Sequence, residues 1–394
     1  MILQNITTAK GTNINIHIRN GKIASISENL IEFPPKEEIL DASGYLLLPA
    51  FFDTHAHLDK TVLGMDWFYN DLGSNRIDRI ENERKNRTSF GIDTFRQASR
   101  LMELSISKGT LYMRSHVDID TDNGLKGLEG VLQAKEKYKD IFHLELAAFP
   151  QSGLLIRPGT YELMEKALEM GADIVGGIDP AEIDRDPKGS VHAIFQLAEK
   201  YNRPIDIHLH EAEELGAFTM GLIIEHTLAS GMQGKVSISH AFCLGSQKKE
   251  LVVPLLEGLA HAGITIITCG QPNTTSVPRI REVSDAGINI CGGNDDIRDM
   301  WSPYGSGDIL ERIQFIAMKN YFRKDKDLEF TMKLCTENAA KLFNIEKYGP
   351  YTGNPATFVL VKARNISESI VTYPKERMVF CNGKMIAKDW AYLG

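Results

Sequence analysis

The sequence predicts an α/β fold, a closed (β/α)8 barrel with a small β-domain built from both chain ends. Three observations predict it. Eight short apolar runs recur along the middle of the chain, amphipathic stretches of helical spacing separate most of them, and polar clusters stand at the C-terminal ends of the runs all round the series. Parallel strands need crossover connections, and strand, helix, strand repeated eight times closes into a barrel whose C-terminal rim carries chemistry. A doubly wound open sheet competes, but it would gather its polar residues at one switch point.

In chain order, residues 1–45 hold alternating segments, INIHIRNGKIASI, around an Asn20-Gly21 pair that fits a hairpin turn. The apolar runs follow as LLLPAFFD (46–53), TLYMRSHV (110–117), LELAAFP (144–150), DIVGGI (173–178), PIDIHL (204–209), KVSISHA (235–241), ITIITCG (264–270) and INICGG (288–293). Residues 94–109, 191–201 and 249–263 have the spacing and charged faces of helices, and many such stretches close on glycine. One connection is unusually long: residues 59–91, at the strand-1 rim, read either as a lid or binding segment or as a surface excursion with a helix of its own. Residues 356–388 alternate again around Asn382-Gly383. Neither end could cover its apolar face alone, so residues 1–46 and 349–394 are expected to form one small β-domain, with the barrel at 47–348.

Composition excludes several classes. A formal net charge of -8 over 394 residues and a pI near 5.8 argue against a broad phosphate-binding surface, so no nucleic acid polymer is expected as a partner. No uncharged apolar run of about 18 residues occurs, and the start MILQNITTAKG lacks a basic region followed by an apolar one, so neither membrane insertion nor export is expected. Cys243, Cys269, Cys291, Cys335 and Cys381 are an odd number with no CxxC spacing and mostly apolar neighbours, which fits reduced core thiols and a cytoplasmic address. Homo-oligomerisation is left open.

The chemistry gathers at the strand ends. Side chains two apart on a strand share a face, so His55 and His57 of DTHAHLDK project together into the barrel mouth, where two imidazoles suit a divalent metal. A lone HxH serves equally well as ordinary polar core. The signal strengthens because His116 ends strand 2, His208 ends strand 5, His240 ends strand 6, and Asp295 and Asp296 end strand 8.

This ordered set resembles the amidohydrolase superfamily, metal-dependent hydrolases on a distorted (β/α)8 TIM barrel with a small β-sandwich domain from both termini. The resemblance spans nearly the whole chain. It implies one divalent metal per chain, Zn2+ or Fe2+, held by His55, His57, His208 and Asp295; strand 4, IVGGID, offers no lysine or glutamate to bridge a second metal. The segments PAFFDTHAHLDK, MRSHVDID, LAAFPQSGLL, GADIVGGI, IDIHLHEAEE and NDDIRDMWSPYG are similar to those of the cytosine deaminase group. That likeness implies Glu211 as proton shuttle, Gln151 and Asp296 as contacts to the substrate ring, Trp301 as pocket lining, and His116 in the pocket wall or beside a ligand.

Each role has a physical basis. A divalent metal lowers the pKa of its bound water toward roughly 7, supplying hydroxide at neutral pH. The attacked ring carbon needs its neighbouring nitrogen protonated, which a carboxylic acid in hydrogen-bond reach can do; Glu211 is the candidate, with Glu213 and Glu214 as rivals that could simply open the next helix. His240 would polarise the water, or is a buried strand histidine; Asp295 would take the water's proton and pass one to ammonia. Gln151 presents a donor and an acceptor to an NH–C=O edge, though glutamine after a strand is often only a polar cap, and Trp301 also reads as plain packing. The expected function is hydrolytic deamination of a small nucleobase-like heterocycle, cytosine or a close analogue. Lys60, Asn294 and GGIDPAEID depart from cytosine deaminase proper and open the alternatives of an aminotriazine or creatinine-like ring. A non-catalytic scaffold and a two-metal amide-ring hydrolase are further alternatives, which metal analysis separates.

Overall fold

Eight parallel strands form one sheet whose neighbours follow chain order: β1 (Phe51–Ala56), β2 (Thr110–Asp118), β3 (His143–Phe149), β4 (Ile174–Ile178), β5 (Ile205–His208), β6 (Val236–Ser239), β7 (Thr265–Thr268) and β8 (Ile290–Gly292). The structure is a computed structural model that describes residues 1–29, 37–71, 73, 75–272, 274 and 276–394. The ring closes where β1 meets the residues just past β8. Ala56 and Asp295 form a parallel bridge, and the Asp295 amide donates to the His55 carbonyl at 2.7 Å. Glycine makes that approach feasible, because a Cβ on Gly293 would stand 2.5 Å from the His55 backbone nitrogen and Cβ. Register shifts between β1 and β2 distort the ring beside this seam.

The apolar run at 46–53 is two strands, where the sequence reads as one. Leu46–Pro49 pairs antiparallel with Phe358–Val361 in the sheet made by the chain ends, and the barrel strand begins only at Phe51. Both halves are buried, so hydropathy does not mark the break; Pro49, with no N–H to give, ends the first ladder.

The chain ends build one nine-stranded sheet. It curls until Lys22 bridges Pro355 and the Ile23 amide reaches the Asn354 carbonyl at 3.0 Å, although the strands beginning at Lys22 and Phe358 lie far apart in the sheet order. Leu3, Ile16 and Ile23 from one half and Phe358 and Phe380 from the other fill the space between as a separate core, which gives the sandwich. Arg377, fully buried, ties this unit to the barrel through Asp308 (2.9 and 2.7 Å) and the Lys108 carbonyl (2.8 Å). No helix among the described residues is long and apolar enough to cross a membrane.

The long connection holds a helix, α1 (Arg76–Phe90), opened by the Asn75 side chain accepting from the Ile77 amide and closed by Gly91 at φ 72°. Leu72 and Ser74 of that connection lie outside the described residues. The helix of its own is present, and its Glu83 and Arg87 are buried.

Candidate active site

A barrel interior is usually packed with branched aliphatic side chains. Here its inward positions are polar. Arg114, His116 and Asp118 alternate along β2, Asp206 and His208 along β5, Ser237 and Ser239 along β6, and Asp53 and His55 along β1, all buried. Arg114 donates to Asp206 (2.8 Å), Ser237 Oγ (3.0 Å) and Glu145 (2.8 and 3.0 Å), so the lower layer satisfies itself.

The upper layer does not. His55 Nε2, His57 Nδ1 and both ring nitrogens of His116, His208 and His240 are buried with no hydrogen-bond partner among the described residues. Nitrogens of His55, His208 and His240 lie within 4.8 Å of one another. Asp295 Oδ1 stands 3.4 Å from His55 Nε2 and 3.3 Å from His57 Nε2. The backbone turns sharply to make this possible: His240 and Asp295 take left-handed φ of 68° and 63°, conformations that cost non-glycine residues energy and gather at functional sites.

One tautomer is set by its surroundings. Ser239 Oγ donates to Asp206 Oδ1 at 2.7 Å, so its oxygen is free to accept from His55 Nδ1 at 2.9 Å. With the proton on Nδ1, His55 points the lone pair of Nε2 at the cluster. Burial pushes the His116, His208 and His240 imidazoles well below their usual range, and burial with the nearby Lys60 charge pushes His57 down to about 4. Burial would raise Asp295, but His240, His55 and His57 outweigh it and hold the carboxyl well below the usual range. Neutral imidazoles with unused lone pairs around one ionised carboxylate are the donor set of a borderline divalent cation, and these residues fit one.

Of the expected ligands, His208 shares a donor group with His55, and His57 is joined to His55 through Asp295; two further residues stand with them. His240 lies as close to the group as His208, and the buried thiol of Cys269, just past β7, lies within 4.8 Å of His55 and Asp295 donors. His116 packs among them, 4.3 Å from His55 and 4.5 Å from His208 between ring centroids. Phe149 stacks on His208 at 4.0 Å. Gln271, which the sequence reading passed over, donates from its carboxamide to Asp295 Oδ2.

Glu211 is differently engaged. Its Oε1 accepts from the Ala181 and Glu182 amides (2.7 and 2.9 Å) and its Oε2 from the Thr219 hydroxyl, so both oxygens are tied to the loop after β4 and to the following helix. Burial raises its pKa all the same. Its neighbour His210 stacks on His240 at 4.0 Å and bonds through Nδ1 to Asp179 Oδ2 at 2.7 Å, which leaves Nε2 for another partner. Asp179 is further held by Arg76 of α1 at 3.1 Å.

Beside the histidines sits a charged cluster. Lys60 Nζ donates to Gln151 Oε1 at 2.5 Å; Gln151 Nε2 donates to Glu83 Oε2 (2.7 Å) and Asp118 Oδ2 (2.9 Å); Trp301 Nε1 also donates to Glu83. Arg87 reaches Asp59 (2.8 Å) and Asp118 (3.0 Å). Burial raises Asp118, Asp296 and Asp299, the last to about 6, against the pull of Lys60. Burial would lower Lys60, but Asp118 and Glu83 raise it and keep it charged. Gln151, Asp296 and Trp301 all stand beside Lys60, but Gln151 has spent both amide protons on the chain itself. Glu83 was missed; an i, i+4 Glu83/Arg87 pair at the strand-1 rim was the available signal, and it reads equally as a solvated helix face.

A sequence profile of the amidohydrolase family matches residues 38–387. The chain is 32% identical over 369 residues to the N-isopropylammelide isopropyl amidohydrolase of Pseudomonas sp. (strain ADP), covering 92% of this chain and 91% of that one. It superposes on the crystal structure of N-isopropylammelide isopropylaminohydrolase from Burkholderia multivorans ATCC 17616 with a TM-score of 0.94 and 40% identity, over 100% of this chain and 99% of that one. Against 5-methylcytosine deaminase from Klebsiella pneumoniae, liganded with 5-fluorocytosine, the TM-score is 0.85 at 27% identity, over 98% and 97%. With a profile match across most of its length and these identities, the chain belongs to the amidohydrolase family.

Proposed function

We propose that the chain is a hydrolase that releases an amine from an exocyclic C–N bond of a small cyclic amidine ring, with one divalent cation held by His55, His57, His208 and Asp295. The observation that carries this is the set of buried imidazole nitrogens without a hydrogen-bond partner among the described residues, facing one ionised carboxylate. When bound, such a cation supplies Lewis acidity and a nucleophile from water at neutral pH; imidazole and carboxylate accept zinc or iron alike.

The chain's own residues do the rest. Asp295, with Oδ2 occupied by Gln271, keeps Oδ1 toward the histidines, where it can accept a proton from the attacking water. His240, steadied by the stacked ring of His210, lies where negative charge would develop on the attacked group. A proton must also reach the ring nitrogen and depart with the amine. We assign this carriage to His210 in preference to Glu211. Asp179 holds the His210 proton on Nδ1 and frees Nε2, whereas Glu211 would have to abandon three hydrogen bonds to reach a substrate.

The relatives named for N-isopropylammelide support an alkylaminotriazine as the ring. Cytosine remains the second reading, supported by the likeness to 5-methylcytosine deaminase. The test is amine release from alkylaminotriazines and cytosine by metal-loaded protein, with His210→Asn and Glu211→Gln beside it. We expect His210→Asn to lower kcat by about a hundredfold or more and Glu211→Gln by about tenfold or less. The reverse order returns the role to Glu211, and no release from any amidine ring removes the proposal.

A further inference from the structure

We propose that Cys269 is a further ligand of the cation, bound through its sulfur beside His55 and Asp295, and that this thiolate sets the site's preference for zinc over harder cations. This rests on the reading that His55, His57, His208 and Asp295 hold one divalent cation.

All five cysteines are buried, and four of them have a partner for the sulfur. Cys243 donates to the Met220 sulfur (4.0 Å), Cys335 to the Met332 carbonyl (3.4 Å) and Cys381 to the Ile141 carbonyl (3.9 Å), while Cys291 accepts from the Asn289 carboxamide (3.7 Å). Cys269 differs. It is 1% exposed, its sulfur makes no hydrogen bond among the described residues, and it lies within 4.8 Å of a His55 nitrogen and an Asp295 oxygen. His55 Nε2 is buried there without a hydrogen-bond partner among the described residues and faces Asp295 Oδ1 at 3.4 Å. Zinc bonds sulfur at about 2.3 Å and nitrogen or carboxylate oxygen at about 2.0–2.2 Å, so a grouping this tight is close to the span of one ion.

The fold holds this sulfur in place. The Cys269 carbonyl accepts from Arg312 Nη1 at 3.0 Å, and Gly270 follows at φ 52°, where a Cβ would stand 2.5 Å from Ile316 Cγ1; Arg312 and Ile316 both lie on the helix Ile309–Lys319. One residue further, Gln271 donates to Asp295 Oδ2. The turn after β7 thus presents two groups to Asp295, a carboxamide that fixes one oxygen and a thiol beside the carboxylate. On coordination the S–H bond breaks, the sulfur keeps the electron pair for the cation, and the proton passes to solvent. Imidazole and carboxylate suit several divalent cations, and a thiolate adds a soft donor that favours zinc over manganese.

The test exchanges the bound cation for Co2+ and reads the near-ultraviolet absorption produced by thiolate-to-cobalt charge transfer. We expect the band in the parent and in Cys291→Ser, and its loss in Cys269→Ser with cobalt still bound by metal analysis. Calorimetric titration with zinc, in buffers of different ionisation enthalpy, should count about one proton fewer released by Cys269→Ser than by the parent. The ratio of zinc to manganese affinity, read by competition with a chelator, should fall more than about tenfold in that variant, the least that losing even an orienting partner costs. If Cys269→Ser fails to fold, judged by circular dichroism, Cys269→Ala carries the comparison. Cobalt bound by the parent without the band, a band that survives in Cys269→Ser, or an unchanged proton count and metal ratio would overturn the inference and leave the cation site standing. No cation bound by the parent removes the site and the part of Cys269 with it. A band that depends on Cys269, with no amine released from any ring, would instead sink the proposed reaction and leave this ligand in place.

Discussion

The two sides of the barrel mouth are built on opposite rules. On the histidine side, the polar atoms are left open: buried imidazoles around one carboxylate, with ring nitrogens that have no hydrogen-bond partner among the described residues. On the Lys60 side, Lys60, Gln151, Glu83, Asp118, Arg87 and Asp59 are tied to one another through ion pairs and hydrogen bonds, with only Asp59 Oδ1 and Asp118 Oδ1 of these six lacking a hydrogen-bond partner among the described residues. Leaving a buried polar atom without a partner costs about 1–3 kcal/mol, so an open cluster on this scale marks where the missing partner comes from outside the chain. A closed cluster costs less and holds its members still, which suits groups that must aim rather than bind a cation.

The largest expected effect breaks the open side. His208→Ala removes one of the four proposed donors, and we expect bound metal to fall from about one per chain to a small fraction, with kcat/KM down at least about a thousandfold, beyond the ten- to hundredfold of an orienting partner. Metal analysis of the purified variant checks it. Full metal content in that variant would mean that His240 and Cys269, not His208, complete the donor set.

A smaller effect sharpens the contrast. Ser239→Ala leaves every donor in place but cuts the link from His55 Nδ1 to Asp206. The imidazole loses the group that fixes its tautomer, and metal affinity should fall about ten- to hundredfold, read by competition with a chelator. Unchanged affinity would mean that packing alone orients His55.

How far these two sides were legible follows from the same contrast. The histidines at 55, 57, 208 and 240 stand at the ends of apolar runs, where period-2 spacing and strand order carry the geometry, and the seam at Gly293 then brings Asp295 to them. The Lys60 side was half visible. Gln151, Asp296 and Trp301 follow strands and could be named, but Glu83 and Arg87 come from α1, whose charged sequence looks the same whether its face meets water or a buried cluster. Gln271 and the Ser239–Asp206 link depend on which side-chain atoms touch across strands, and spacing along one chain does not encode that. The division at Pro49 was hidden because both flanking strands are buried.

The smallest effect probes the cost of the closed side. Asp299 is fully enclosed, and burial raises its carboxyl from 3.8 to about 6, eased by Lys60 and by the neighbouring Asp296 carboxyl. A carboxyl whose folded pKa is raised stabilises the fold fully only below its unfolded value. That contribution is lost as pH climbs from about 4 through about 6, because the unfolded chain ionises first. Two pKa units set a ceiling of about 3 kcal/mol, and sharing the proton with Asp296 lowers it. Asp299→Asn retains an oxygen for the Trp301 and Ser302 amides, now at 2.8 and 2.9 Å, and removes the charge. The variant should therefore be more stable than the parent by about 1–2 kcal/mol at pH 7.5, with the gap closing toward pH 4, as measured by denaturant unfolding of the metal-free proteins across that range. A gap that is absent at pH 7.5, or that widens toward acid, would mean that Lys60 already compensates the carboxylate in full, and that the closed side carries no strain to contrast with the open one.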